Sequence, residues 1–303
     1  MKRIAVVAAM AVLLCTQGRS STIYNFSQVS PGNQAESIFV GAAINSSGLV
    51  AWENGESLYT WNGSAVSQYG NFQNLGQGIG LSDAGGISFS YESGGAVYSI
   101  PNGTVTSVAY PGADGTTATG SSPDGMVTGY SYTGPSQYGF IDDGGSFTQV
   151  SYPGPHGQIY LWGINDSSNV VGISSCCDSG VGFIDENGVY TTITVPGITN
   201  GDIDPRGLND SNEVVGEVYT GSDLEGFVWQ NGVGSIVNYP GATDTIIYGV
   251  NSAGELVGEA DFGQYYSGIV FTATPEGSTT PEPRTFYLLA GAALAGWRYR
   301  HRR

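Results

Sequence analysis

The sequence predicts an all-β protein: a six-bladed β-propeller of four-stranded repeats, closed by an N-terminal strand and followed by a short C-terminal hydrophobic helix. Three observations carry that expectation. A short hairpin signature returns six times along the chain. Between its copies lie short strand-like runs separated by Gly, Asn and Pro turns. Glycine supplies 48 of 303 residues while hydrophobic residues supply 40%, so turns are dense and enough apolar surface remains for a sizeable core.

The signature is clearest at Gly207-Leu208-Asn209-Asp210-Ser211-Asn212-Glu213-Val214-Val215-Gly216. Asn and Asp bond their own backbone and tolerate left-handed conformations, and the β-branched pair supplies a return strand. Taking Asn45, Ser82, Ser122, Asn165, Asn209 and Asn251 as equivalent gives spacings of 37, 40, 43, 44 and 42 residues. A period of this length points to propeller blades or a similar repeat array.

Read from the start, Met1-Lys2-Arg3 and the apolar run Ile4 to Leu14 form a secretory signal within residues 1–20. The propeller is expected over 22–272. Its first segment, Ile23 to Val29 followed by Pro31-Gly32, has the form of a fourth strand with its terminator, whereas the last repeat stops after its third strand, Gly268 to Phe271. The N-terminal strand is therefore expected to complete the last blade and to remove the edges that an open array would present.

The fifth copy shows the four strands of a unit: 205–208, 214–219, 226–229 and 235–239, the last closed by Pro240-Gly241. The Gly-Phe start of the third strand recurs at Gly139-Phe140 and Gly182-Phe183, and the Pro-Gly end at Pro111-Gly112, Pro153-Gly154 and Pro196-Gly197. These residues resemble the HAF extracellular repeat, which pairs a Gly-Phe strand and a Pro-Gly-Ala segment with a Gly-Ile-Asn-Asp hairpin. Copies three to six match it well, and the first two are degenerate, with Ser82 in place of Asn. The resemblance implies an extracellular location.

Residues 273–283 read as a polar linker rich in Pro, Gly, Ser and Thr. Then come Pro281-Glu282-Pro283, the uncharged apolar run Phe286 to Trp297, and a basic end with Arg298, Arg300, Arg302 and Arg303. Residues 281–303 thus resemble the PEP-CTERM sorting signal. That resemblance implies an exosortase as partner, transient anchoring in the inner membrane of a Gram-negative bacterium, and delivery to the cell surface or the extracellular space. The basic tail obeys the positive-inside rule, although a 12-residue apolar run falls short of the roughly 20 residues of a relaxed span.

Charge is sorted along the chain. Residues 20–283 hold all 26 acidic residues against Arg206 alone, a formal charge of −25. Such a body repels phosphate backbones, which argues against nucleic acid as a partner.

In the expected phase, the first-to-second and third-to-fourth connections are tight turns on one face. The other connections are longer and gather on the opposite face, where binding residues usually sit. That candidate binding face holds His156, Asp202, Asp204, Asp223, Glu225, Asp244 and Asp261. Asp202-Ile203-Asp204 with Asp210 offers oxygens to Ca²⁺ but lacks a full calcium-loop motif, so solvated loop carboxylates are the favoured reading and no other cofactor is expected. Cys176 and Cys177 are adjacent in an oxidising compartment, which leaves a vicinal disulfide or free thiols open. No Ser-His-Asp or metal-ligand spacing is present. The resulting expectation is a monomeric, non-enzymatic, exported surface or matrix protein that binds polysaccharide or an envelope component through the long-loop face. The alternative is a carbohydrate-active hydrolase or lyase using acids on that face.

Overall fold

The computed structural model describes residues 22–29, 39–76, 78–92, 94–153, 157–176, 179–198, 203–263 and 268–276. They form six four-stranded antiparallel sheets. Strand β1 (Tyr24–Gln28) precedes blade one, made of β2 (Phe39–Ile44), β3 (Val50–Asn54), β4 (Ser57–Trp61) and β5 (Val66–Tyr69). Blade two holds β6 (Gly80–Leu81), β7 (Gly86–Tyr91), β8 (Gly94–Ser99) and β9 (Thr104–Val108). Blade three holds β10 (Gly115–Ser121), β11 (Val127–Thr133), β12 (Ser136–Asp143) and β13 (Ser146–Val150). Blade four holds β14 (Gln158–Ile164), β15 (Val170–Cys176), β16 (Ser179–Glu186) and β17 (Val189–Thr192). Blade five holds β18 (Ile203–Leu208), β19 (Val214–Tyr219), β20 (Leu224–Gln230) and β21 (Val233–Ile236). Blade six takes β22 (Asp244–Val250), β23 (Leu256–Asp261) and β24 (Ile269–Pro275), and β1 pairs with β24 as its outer strand.

The first strand of each blade touches those of both neighbours, and β2 against β22 closes the ring. The closing pair runs in register from Tyr24 opposite Pro275 to Gln28 opposite Phe271. β24 therefore continues to Pro275 and draws the first residues of the stretch expected as linker into the sheet. A backbone amide then bonds on to blade six, Val29 N to Val270 O at 2.9 Å.

Local chemistry explains each unit. In all six first hairpins the residue three places after the equivalent Asn or Ser has positive φ: Gly48, Gly85, Gly125, Ser168, Asn212 and Gly254. Each donates its amide to that Asn or Ser carbonyl at 3.0 Å, a turn closed by a left-handed residue. The Pro-Gly segments at 111–112, 196–197 and 240–241 are type II turns with Gly at the left-handed position, as in Ala242 N to Tyr239 O at 3.1 Å. In blades three to six the second-strand Gly lies opposite the third-strand Phe (Gly129 and Phe140, Gly172 and Phe183, Gly216 and Phe227, Gly258 and Phe271). The first strand's backbone uses the space a side chain would take, since a Cβ would meet a carbonyl oxygen at 1.9 Å on Gly129, 2.1 Å on Gly172, 2.0 Å on Gly216 and 2.3 Å on Gly258; at Gly258 the Phe271 ring, at 2.6 Å, closes it as well. These four phenylalanines are fully buried. Blade two puts its aromatic on the other strand, with Phe89 opposite Ala96, and blade one pairs Trp52 with Tyr59, which is why their Gly-Phe signal is lost.

Strand boundaries and connection lengths differ from the sequence reading; in blade five β18 starts at Ile203 and β20 at Leu224, each two residues earlier than expected. The fourth strand of blade five starts at Val233, not at Ser235, because Asn231 and Gly232 both take positive φ and make a two-residue hairpin. The second-to-third connections, expected to be long, are two residues in blades one to four; only Thr220–Asp223 and the stretch 262–268 of blades five and six are longer. Long connections on the loop face are chiefly those between blades. The signal segment 1–20, the apolar run 286–297 with its expected helix, and the sorting motif Pro281, Glu282, Pro283, Arg298, Arg300, Arg302 and Arg303 lie outside the described residues. Among the described residues no helix is long and apolar enough to cross a membrane.

Candidate functional site

The central channel is shaped by a repeated irregularity. The register of the first hairpin slips in five blades, between Phe39 and Ala42, Ala118 and Gly120, Leu161 and Gly163, Pro205 and Gly207, and Ile247 and Gly249. A bulge re-aims the side chain of the extra residue, and here Thr119, Trp162, Arg206 and Tyr248 turn to the channel; in blade one the slip falls before Ala42, which is paired with Trp52 and lines the same space. The following glycine lets neighbouring first strands approach: a Cβ on Gly163 would lie 2.9 Å from Gly207 Cα.

Arg206, the single cation of residues 20–283, lies in this channel. Its guanidinium stacks 4.5 Å from the Trp162 ring centroid, and its Nε donates to both Glu217 oxygens at 2.9 and 3.1 Å. Nη2 also reaches Asp204 at 3.4 Å. Burial works against the charge on Arg206, but the Glu217 carboxylate more than offsets it and holds the guanidinium protonated. Burial also pushes Glu217 up, with Arg206 pulling it back. One blade on, the Tyr248 hydroxyl donates to Glu259 Oε2 at 3.2 Å. Burial pushes Glu259 up to about 7, the Tyr248 bond lowers it and Asp261 raises it.

These side chains fill most of the channel. What remains is a cavity of about 50 Å³ toward the tight-turn end and one of about 20 Å³ beside Gly41, Ala42, Ile79 and Thr119. Both are small beside ligand pockets, which run to roughly 300–1,000 Å³. The strands that line the channel start on the loop face, and an aromatic cluster packs on Trp162. Tyr160 lies parallel to Trp162 at 6.3 Å, and Tyr130 meets Tyr160 edge-on at 5.0 Å. Tyr130 and Tyr160 are half-buried, and the Tyr160 hydroxyl donates to exposed Gln158 at 3.0 Å. The indole N–H of Trp162 is buried without a hydrogen-bond partner.

The acids singled out from the sequence do not converge. Asp204 is engaged by Arg206, so its reading as a Ca²⁺ ligand gives way to an ion pair. Asp223 lies at the start of β20, its carbonyl accepting from Thr220 N at 3.0 Å, and Glu225 lies in β20 opposite Val218. Asp261 ends β23 opposite Asp244; its Oδ1 accepts from Gly263 N at 2.7 Å, while Asp244 Oδ1 accepts from Leu224 N of blade five at 2.7 Å. These are loop-closing bonds on the rim of blades five and six. Asp210, the third member of the calcium reading, accepts from Asp166 N of blade four at 3.0 Å on the tight-turn face. Among the described residues no three His, Cys, Asp or Glu side chains could hold a metal ion. His156, Asp202 and Cys177 lie outside the described residues, and Cys176 ends β15 opposite Ser179.

Sequence reasoning passed over Trp162, Tyr160, Tyr248, Glu217 and Glu259. A signal was present: in blades three to six the bulge residue sits immediately before the Gly of the hairpin signature, and it is large in the last three (Trp162, Arg206, Tyr248) where blade three has Thr119.

No protein-family model matches the chain, and no curated protein matches it in sequence. Similar solved structures are propellers. A TolB candidate from Agrobacterium tumefaciens shares 12% identity at a TM-score of 0.55, covering 66% of this chain and 76% of its own. A gluconolactonase from Xanthomonas campestris shares 11% at 0.53, covering 79% and 86%. A streptogramin B lyase shares 9% at 0.51, covering 84% and 98%. At these identities the likeness is one of fold.

Proposed function

We propose that this is an exported propeller, displayed at or released from a bacterial cell surface, that binds polysaccharide or another envelope component without transforming it. The observation that carries the binding half is the Tyr130–Tyr160–Trp162 aromatic cluster, in which Tyr130 and Tyr160 are half-buried and packed on the channel residue Trp162. Aromatic faces bury apolar area while their polar ends stay available for hydrogen bonds, which suits a ligand lying across the cluster. The signal segment and the sorting segment support export, with an exosortase as the processing partner.

The test is a pull-down on extracellular polysaccharide and a glycan array with the mature chain and its Tyr160→Ala variant. Binding by the natural chain, lost in the variant at unchanged melting temperature, is the expected result. No binding by a folded chain overturns the ligand assignment.

A second reading, hydrolysis or elimination on carbohydrate, draws on Glu259, whose pKa of about 7 suits a general acid. Its burial, with its carboxylate bonded to Tyr248, favours the binding role.

A further inference from the structure

Blades three and four pack together through β11 and β14, and a row of aromatic rings lies between them. Tyr130 and Tyr132 are two residues apart in β11 and so share one face of the sheet. On that face Tyr130 meets Tyr160 at 5.0 Å and Trp162 at 6.3 Å, both from β14. The Tyr132 ring lies over Gly115 of β10, where a Cβ on that glycine would collide with its hydroxyl. Burial pushes the Tyr130 hydroxyl up, a bond to Thr117 lowers it, and Tyr160 and Tyr132 beside it raise it. β11 runs outward to the loop face, so Tyr132 extends the row toward solvent. Exposure rises along it: Trp162 is 7% exposed, Tyr130 and Tyr160 are half-buried, and Tyr132 is 37% exposed.

Neutral and acidic groups frame the row. Gln158, exposed at the start of β14, accepts from the Tyr160 hydroxyl at 3.0 Å. Gln137 stands opposite Tyr132 in β12 and donates to Ile159 O of blade four at 3.1 Å. Asp114 is exposed at the outer end; its amide donates to Tyr132 O at 2.8 Å and its carboxylate accepts from Gly134 N at 2.8 Å. Carboxylate or sulfate groups on a sugar are best held by a fixed cation, Arg above all. Residues 20–283 contain one Lys or Arg, Arg206, against 26 acids. Glu217 and Asp204 already engage its guanidinium.

Given the glycan-binding reading above, we propose that the Tyr132–Tyr130–Tyr160 row, backed by Trp162, takes an uncharged polysaccharide chain and turns away acidic ones, with Asp114 as a specificity-determining residue. Uncharged sugars offer C–H faces to aromatic rings and hydroxyls to the phenol and amide groups around them. An acidic chain brings its charge against Asp114 and a body of formal charge −25, with no cation left to balance it.

Biolayer interferometry of the mature chain on immobilised polysaccharides tests this. Dextran, laminarin and galactomannan are the uncharged polymers, alginate the acidic one and chitosan, at mildly acidic pH, the basic one. Tyr132→Ala and Asp114→Asn run alongside, with melting temperatures checked against the natural chain. The natural chain is expected to bind at least one uncharged polymer equally at low and high salt, and alginate at least about tenfold more weakly. Tyr132→Ala is expected to weaken binding to the uncharged polymer roughly three- to tenfold. Asp114→Asn keeps an acceptor for Gly134 N. It is expected to leave the uncharged polymer unaffected while narrowing the gap to alginate about twofold at low salt. Alginate binding as tight as that of the uncharged polymers overturns the selectivity and leaves glycan binding standing. Binding confined to chitosan and lost at high salt overturns the aromatic row, because the field of the acids alone then explains it. A folded chain that binds none of these polymers removes the glycan reading itself, and the selectivity with it.

Discussion

Asn251 donates through Nδ2 to the carbonyl oxygen of Asn45 at 3.1 Å, joining residues 206 apart across the seam of the ring. The same bond runs from Asn45 to Ser82 O at 3.3 Å, from Asn165 to Asn209 O at 3.1 Å and from Asn209 to Asn251 O at 3.0 Å. Meanwhile Oδ1 of Asn251 accepts from Ala253 N and Glu255 N at 3.0 Å, shaping its own turn. One side chain thus sets a hairpin and ties it to the next blade. Serine manages only half: Ser82 and Ser122 accept from Gly86 N at 2.9 Å and Met126 N at 3.2 Å, and backbone or aspartate bonds make the link instead, as in Asp124 N to Asp166 Oδ1 at 2.8 Å.

Asn251→Ala is therefore expected to cost about 2–4 kcal/mol, since it strands a buried carbonyl and two turn amides. Asn251→Ser, which keeps the turn and loses the link, is expected to cost roughly half as much. Urea unfolding of the three proteins checks this, and equal losses for Ala and Ser would mean that the inter-blade bond adds nothing.

The β1 strand closes the ring with side chains as well as backbone. Phe26 packs edge-on against Phe271 at 5.5 Å and Tyr239 at 5.4 Å, and Val29 is buried. Deleting residues 22–29 is expected to remove about 4 kcal/mol or more of apolar burial, a melting shift on the order of ten degrees, and to leave β24 as an open edge. Trimming residues 278–303 is expected to leave melting unchanged. Indistinguishable melting curves for the two truncations would reject a ring closed in this way.

The blades were legible because each depends on local chemistry: left-handed turn residues, Pro-Gly turns and Gly opposite Phe all leave letters at fixed offsets. The strand that closes the ring was legible from phase, because the last repeat lacks a fourth strand that Ile23 to Val29 supplies. The channel was not legible. Which way Trp162 or Arg206 points depends on a one-residue slip in register, and a slip is a relation between two strands that neither sequence records alone. Asn209 carried a further hidden role: its turn function is visible within five residues, but its bond to Asn251 exists only once the blades sit side by side. The acids of the loop face carry local roles that sequence alone does not display. Asp223, Asp244 and Asp261 cluster in sequence, yet Asp244 and Asp261 cap amides and Asp223 sits in a loop closed through its own carbonyl.

Stability is expected to fall as pH rises from acid to neutral. The Glu259 pKa in the fold is about 7 against an ordinary 4.5. The protonated form is thus favoured by folding, and the stability it brings is complete below about pH 4.5 and gone above about pH 7. At 1.36 kcal/mol per unit the loss is about 3 kcal/mol. Glu53 and Glu213 shift in the same direction. Urea midpoints at about pH 5 and pH 8 measure the slope, and Glu259→Gln, which keeps a partner for Tyr248, is expected to flatten it. Stability that instead climbs over this range would contradict the burial of these carboxyls.

The last expectation concerns the two ends of the sorting segment, which fail differently if the export proposal is right. Replacing Arg298, Arg300, Arg302 and Arg303 by Glu removes the positive charge that stops a 12-residue apolar run from passing through the membrane. Such a short run has little hydrophobic free energy to hold it without the basic flank, so the chain is expected to escape uncut. Replacing Glu282 leaves the apolar run and the basic tail untouched and alters only the Pro281-Glu282-Pro283 motif. That chain is expected to stay in the membrane fraction at full length, because anchoring survives while recognition by the exosortase does not. Fractionation with C-terminal mass spectrometry separates these fates, and normal processing of both variants would show that residues 281–303 are not a sorting signal.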